Sequence, residues 1–370
     1  MARHRHRRQG SIAIQIIFVF FLIWMVVPLL SFRGIVKARG TAQKLRCGQQ
    51  LRDMGLALAE YDVDKRSFPG YRNVLLKTNN ESYTDAKTGQ GGVSWVVPLL
   101  PYLDFQPIYD EMRTAKKDDE IEHPFIEMLV CPIKFSSELS DRPWLSYVAN
   151  TGCIDVDGTP RGANSAGMPR DWAANGVFFD RYTGSRALLP ADERGGENAT
   201  KLVPVVTQSN SWISQRDGVA QTIMLSENLD HGLYADVYEP AVGMIWDIES
   251  AIQANQIATP GDPPPTATPT KRSYLVNSKR PGVAVRASGK PATDKTPYDY
   301  ARPSSLHTNG ANVVYCDAHV GFLKNQMEYF VYCLLMSADG KNVKKPGDAQ
   351  ALKNNWFKIP IDDAWFMPEY

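Results

Sequence analysis

The sequence predicts an α+β protein in which one long amino-terminal helix packs on an antiparallel β-sheet carrying long loop insertions. Three observations predict it. Ser11 to Phe32 is a run of 22 residues without a formal charge. Directly after it, Cys47, Leu51, Met54, Leu58 and Tyr61 recur at alternating steps of four and three, which is one apolar stripe along a helix. Near the other end, two β-rich runs, Asn312–Cys316 and His319–Leu323, flank Asp317–Ala318 and read as a hairpin.

The first run is long enough to matter. At about 1.5 Å per residue it spans roughly 33 Å, the thickness of a bilayer core. It is apolar all round, whereas a helix lying on a protein core is apolar on one face. No A-x-A-like site follows near Phe32, so the run is expected to stay in the chain. Arg3, Arg5, Arg7 and Arg8 precede it, and Arg33, Lys37, Arg39, Lys44 and Arg46 follow it, so basic residues on both flanks leave the orientation undecided. Gly34, Gly40, Gly48 and Gly55 weaken a helix without forbidding it. Pro69–Gly70 ends it. The periodicity therefore predicts a helix over roughly 12–62, with a kink at Pro28.

Composition bounds the rest. In 370 residues, 43% are hydrophobic and 22% charged, which supports a sizeable core and excludes wholesale disorder. Outside the basic leader, residues 33–370 hold 37 bases against 40 acids, a net charge of −3. Phosphate neutralisation needs a concentrated basic face, so no nucleic-acid partner is expected. The chain divides into a basic leader (1–10), a transmembrane half-helix (11–32), an amphipathic half-helix (33–68), a globular head (69–259), a proline-rich insertion (260–303) and a carboxy-terminal hairpin with its tail (304–370). The insertion holds nine of the 25 prolines and has no core-forming pattern. Ser146–Asn150, Gly176–Arg181 and Thr222–Ser226 read as short strands, and Gln326–Met336 as an apolar helix. Trp172, Phe178, Phe179, Trp212 and Trp246 read as core.

The motifs that carry chemistry are sparse. There is no G-x-S-x-G, phosphate loop or dinucleotide fingerprint. His307, Asp317 and His319 offer two imidazoles and a carboxylate, a sound set of ligands for zinc or iron. No H-E-x-x-H-like helix pair supports them, and the expected reading is local: His307 hydrogen-bonds nearby and Asp317 caps its own turn. No metal or cofactor is expected in the protein. Glu227 ends an apolar strand, and His231 lies four residues on; neither is expected to act as acid or base. Asp155, Asp157 and Gly158 echo a calcium loop with the wrong spacing. The five cysteines, 47, 131, 153, 316 and 333, form no C-x-x-C. Cys131–Cys153 is the pair expected first for a disulfide, because the intervening loop is short. Ala318 occupies a turn position that wants positive φ, so the hairpin needs a different turn or a strained one costing roughly 1 kcal/mol.

A basic leader ending in Gly10, an apolar half-helix and an amphipathic half-helix together resemble a type IV pilin or type II secretion pseudopilin. The resemblance implies a prepilin-type cut between Gly10 and Ser11, followed by methylation of the new terminus. Ser11 stands where that family usually has Phe, and Gln15 where it usually has Glu. Gln15 can hydrogen-bond but cannot neutralise a neighbour's ammonium, so anchoring is expected and filament assembly weakened. The rest of the chain resembles the pseudopilin-like proteins abundant in planctomycete bacteria, of unknown function, with an H-x9-D-G signature. The matching blocks are RCGQQLRDMGLALAEYDVDKRSFPG, SWVVPLLPYLDFQPIYDEM, CPIKFSS with LSYVANTG, DGVAQTIMLSEN and HTNGANVVYCDAHVGFL, in that order. His307 and Asp317 match the signature, and Ala318 replaces its glycine.

The resemblance implies a pilin-like fold and a membrane-anchored, non-catalytic structural or interaction protein. Its expected place is a bacterial inner membrane, crossed once, with the carboxy-terminal domain extracytoplasmic. Its expected partners are the lipid bilayer and other pseudopilin-like subunits. The alternative is an extracytoplasmic binding module for a small solute or glycan.

Overall fold

A computed structural model describes residues 9–84, 91–114, 123–133, 142–153, 171–182, 205–229, 232–246, 301–325, 327 and 329–343; within the first helix, side chains are described at 14–22, 24 and from 40 onward. The chain divides into two compact units, Met1–Arg46 and Cys47–Tyr370. Helix α1 runs Gln9–Lys65. In the first unit its described side chains from Ile14 to Leu22 and Trp24 are exposed and, Gln15 apart, apolar, with Ile14, Ile17, Phe20 and Trp24 each more than 65% accessible. Among the described residues no helix is long and apolar enough to cross a membrane.

The second unit is a mixed α+β body. Its sheet holds β3 (Tyr147–Cys153), β4 (Ile223–Glu227), β5 (Gly243–Trp246), β6 (Gly310–Tyr315) and β7 (Val320–Lys324), in the order β5-β3-β4-β6-β7. A separate two-stranded ribbon pairs β1 (Arg72–Asn73) with β2 (Val93–Ser94). The 3-10 helix Val97–Leu103 and helix α2 (Gln106–Thr114) follow β2.

Two apolar layers cover the two faces of the sheet. On one side Cys47, Leu51, Met54 and Leu58 of α1 join Tyr147, Ala149, Leu225 and Val314. On the other side Tyr332, Leu335 and Met336 of helix α3 (Tyr329–Met336) join Val148, Ala311, Val313 and Leu323. The split follows strand alternation: Tyr147 and Ala149 face one way and Val148 the other. Each fully buried Leu or Met of the α1 stripe contributes about 1.5–3 kcal/mol, enough to hold a glycine-containing helix in place. The stripe falls where the periodicity put it, with Cys47, Leu51, Met54 and Leu58 buried and Tyr61 at the margin. Two of its glycines have a packing role: a Cβ at Gly48 would come within 3.3 Å of Val320, and one at Gly55 within 3.0 Å of Val314. The helix ends at Lys65, and Arg66 turns the chain with φ 59°.

Three expectations change. The sheet is mixed, because β5 lies parallel to β3. After β4, which is antiparallel to β3, the chain reverses once and returns on the far side of β3, so it must run in the direction of β3. The segment around Gly176–Arg181 forms no strand; its contacts include Phe178 N donating to Asn150 O, Arg181 N donating to Arg72 O and a bridge from Asp180 to Arg72. The hairpin turn is longer than two residues. Ala318 N donates to Tyr315 O and Tyr315 N to His319 O, which closes a three-residue loop of type I turn plus left-handed residue. Ala318 is that left-handed residue, with φ 66°. The proline-rich insertion up to residue 300, the leader up to residue 8 and the tail beyond residue 343 lie outside the described residues.

Candidate functional site

Glu227 closes β4, and the residues around it converge from four parts of the chain. Its backbone pairs with Tyr147 of β3. Its carboxylate meets β6: Asn312 N donates to Oε2 at 2.7 Å and Asn312 Nδ2 to Oε1 at 3.0 Å. His307, three residues before β6 begins, places Nε2 2.9 Å from the same Oε1. Cys131 Sγ lies 3.9 Å from Oε1. Glu227 is 2% and His307 6% accessible. A carboxylate is tolerated at such depth only when its oxygens are met by donors, and here they are.

The segment bearing His307 is tied down on both sides. Ser304 N donates to Glu227 O, and Leu229 N donates to Ser304 Oγ. Ser305 Oγ donates to Gly310 O and accepts from His307 N. Asn228 Nδ2 donates to Arg302 O. Asn309 enters β6 with φ 69°, a conformation Asn adopts more readily than most residues. Cys131 belongs to a loop that follows the short 3-10 helix Glu127–Leu129. Beside Glu227 a shallow opening of about the size of one water is walled by Cys131, Ile133, Ser146, Asn228, Ser304 and Leu306 among others. Ser146 Oγ and His307 Nδ1 are buried and have no hydrogen-bond partner among the described residues.

Cys131 is bonded to Cys47, not to Cys153, which is buried elsewhere. This corrects the sequence expectation of a Cys131–Cys153 link. Chain proximity favoured Cys153, but β3 carries it to the α3 side of the sheet, whereas Cys131 packs in the α1 layer with Cys47. The bonded pair has Cα atoms 5.4 Å apart across a sequence separation of 84. Gln50, one turn along α1, secures the same contact by accepting from Tyr147 Oη at 2.7 Å and donating to Glu127 O.

His307 and Asp317 do not meet. They lie at opposite ends of β6, six residues that span roughly 20 Å. Asp317 acts locally, as the sequence reading has it: Oδ1 accepts from His319 N and lies 2.6 Å from His319 Nδ1. The His319 ring stacks on Tyr315 at 4.2 Å. His307 reaches past its own turn to Glu227, a partner that sequence reasoning missed because the two lie in separate blocks. The one available signal is that both are polar residues at the ends of apolar strands. Gly10 and Ser11 lie in the first turn of α1. His231, Asp155, Asp157 and Gly158 fall outside the described residues. Burial, then Asp317 and Asp62, push the Cys316 thiol well above the usual range.

A family model described as a protein of unknown function, DUF1559 (SBP_bac_10), matches residues 36–329. The chain belongs to this family. The DUF1559 match takes in every residue of the Cys47–Cys131–Glu227–His307 cluster and both strands of the signature hairpin. No curated protein and no solved structure matches the chain.

Proposed function

We propose that the chain is a membrane-anchored, non-catalytic structural or interaction protein of pseudopilin type, with a pilin-like fold and an extracytoplasmic head. One observation carries the reading. α1 bears an exposed apolar run, Ile14–Leu22 interrupted only by Gln15, and the same helix supplies the core of the body with Cys47, Leu51, Met54 and Leu58. An exposed run of this kind marks a lipid or protein contact. The charge-free sequence from Ser11 to Phe32 is long enough for lipid. The disulfide at Cys47 fits an oxidising compartment. Gln15 cannot offset a neighbour's terminal ammonium, so the chain anchors and assembles weakly. Its partners are the bilayer and subunits of the same type.

Carbonate washing of native membranes, followed by sequencing of the amino terminus, tests this. The expected result is a protein that stays in the pellet and begins at Ser11. Release by carbonate with Met1 intact would contradict it.

A further inference from the structure

Cys47, Cys131, Glu227 and His307 each offer one ligand atom, and the four atoms lie within 4.8 Å of one another in a buried cluster. We propose that these four residues form a zinc site once the Cys47–Cys131 bond is reduced. The set differs from the His307, Asp317 and His319 combination raised by the sequence, of which it keeps only His307. It is independent of the membrane reading.

The donor set suits zinc. Two thiolates, one imidazole and one carboxylate are the ligand types zinc takes, in a number that closes a tetrahedron. With bonds of about 2.0–2.3 Å to zinc, ligand atoms stand roughly 3.3–3.8 Å apart. The cluster lies close to that scale: Cys131 Sγ is 3.9 Å and His307 Nε2 2.9 Å from Glu227 Oε1, so the bonded sulfurs and the His307–Glu227 pair must move apart. The remaining ligands are held in advance. Asn312 fixes both oxygens of Glu227, and Ser305 Oγ fixes the His307 backbone. Hydrogen bonds of this kind, one shell out, orient metal ligands.

The exchange balances. A small dithiol transfers two electrons and two protons to the Cys47–Cys131 bond, becoming a disulfide itself and leaving two thiols. Zinc(II) then binds both sulfurs and releases their two protons to solvent. Nε2 of His307 binds in its unprotonated form. Its ring hydrogen is then carried by Nδ1, which has no partner among the described residues. The centre thus has two closed forms, a disulfide under oxidising conditions and a metal clasp under reducing ones, and both tie α1 to the Cys131 loop.

The test uses the full chain in detergent, oxidised or reduced anaerobically with a phosphine, loaded with zinc chloride, desalted and assayed for metal. The reduced protein should retain about one zinc per chain and the oxidised protein none. Cobalt(II) in place of zinc should give the near-ultraviolet thiolate charge-transfer band and the strong visible bands of a tetrahedral site. Asn312→Ala should lower zinc affinity by about 10–100-fold, with both cysteines intact. Glu227→Gln and His307→Gln should weaken it at least as much. If those variants do not fold, the comparison of reduced and oxidised wild type stands without them. The proposal is overturned if reduced wild type of unchanged circular dichroism keeps no zinc, if its cobalt spectrum lacks the thiolate band, or if the bond cannot be reduced without unfolding the chain.

Discussion

Gly55 of α1 lies against Ala318 of the signature turn: a Cβ at position 55 would stand 3.3 Å from the Ala318 Cβ and 3.0 Å from Val314 Cγ2. The hairpin carries a methyl group where its signature has glycine, and the helix leaves room for it. Ala318 is 4% accessible, so its methyl is part of the packing despite its positive φ. Two rules of local structure, no glycine inside a helix and no alanine at positive φ, are broken at one contact, and each exception accommodates the other.

A double-mutant cycle measures this contact. Gly55→Ala gains about 1 kcal/mol of helix propensity but overpacks the site, which typically costs 1–3 kcal/mol, so a net loss is expected. Ala318→Gly relieves the backbone and loses a buried methyl, and should be near neutral. The double variant should recover part of the Gly55→Ala loss. Gly40→Ala, with nothing within 4 Å of the new Cβ, should not destabilise. Urea unfolding of the four chains reads the energies. Additivity within error would mean that positions 55 and 318 do not sense each other.

Removing the disulfide should be costly. It closes a sequence separation of 84, and Cys47→Ser should lower stability by about 2–5 kcal/mol. A non-reducing peptide map should show Cys47 linked to Cys131. The thiols of Cys153, Cys316 and Cys333 are all buried and should react with a maleimide only after unfolding. A Cys131–Cys153 peptide, or fast labelling of the native chain, would refute this pairing.

Glu227→Ala removes the carboxylate that Asn312 N, Asn312 Nδ2 and His307 Nε2 all meet. A loss of at least about 3 kcal/mol is expected, from three groups at roughly 1–3 kcal/mol each. Glu227→Gln keeps one acceptor oxygen and should cost less. Equal losses for the two variants, read by denaturant midpoint, would show that packing volume and not hydrogen bonding sets the cost.

Asp62 and Asp217 give the body a defined response to acid. Burial raises both above the ordinary value of 3.8, only partly countered by backbone donors from Asn210 and Gly340. A carboxyl group whose folded value is raised favours folding most when protonated. Its contribution is complete below the unfolded value and is lost as pH rises through the folded one. Asp62 Oδ2 accepts from Asn210 N, while Asp62 Oδ1 is buried without a partner among the described residues, so the ionised group is only half met by donors. Asp62→Asn should therefore be at least as stable as wild type at pH 7, and its advantage should shrink as pH approaches 4. Melting temperatures of both chains across that range check it; a gap that widens on acidification has the wrong sign.

Much of the fold was legible in residue periodicity, and the exceptions have physical causes. The α1 stripe, β4 and the β6–β7 hairpin are strong local patterns, and each formed where the pattern lay. Four-residue β5 carries too little pattern to find, and its parallel pairing depends on a return path of the chain that no local window contains. The cysteine pairing followed layers, not chain distance, since β3 carries Cys153 away from the α1 side. The site was half visible. His307 stood out in the signature, but its partner Glu227 is 80 residues earlier, and only the alignment of β4 beside β6 joins them.

The central claim, that the apolar start of α1 holds the body on a membrane, has a direct measurement: sedimentation of the full chain and of a chain lacking residues 11–32, expressed side by side. The full chain is expected in the carbonate-washed membrane pellet. The shortened chain should be soluble, with Cys47 and Cys131 still linked. A full chain found in the soluble fraction, or a shortened chain that still sediments with membranes, would contradict it.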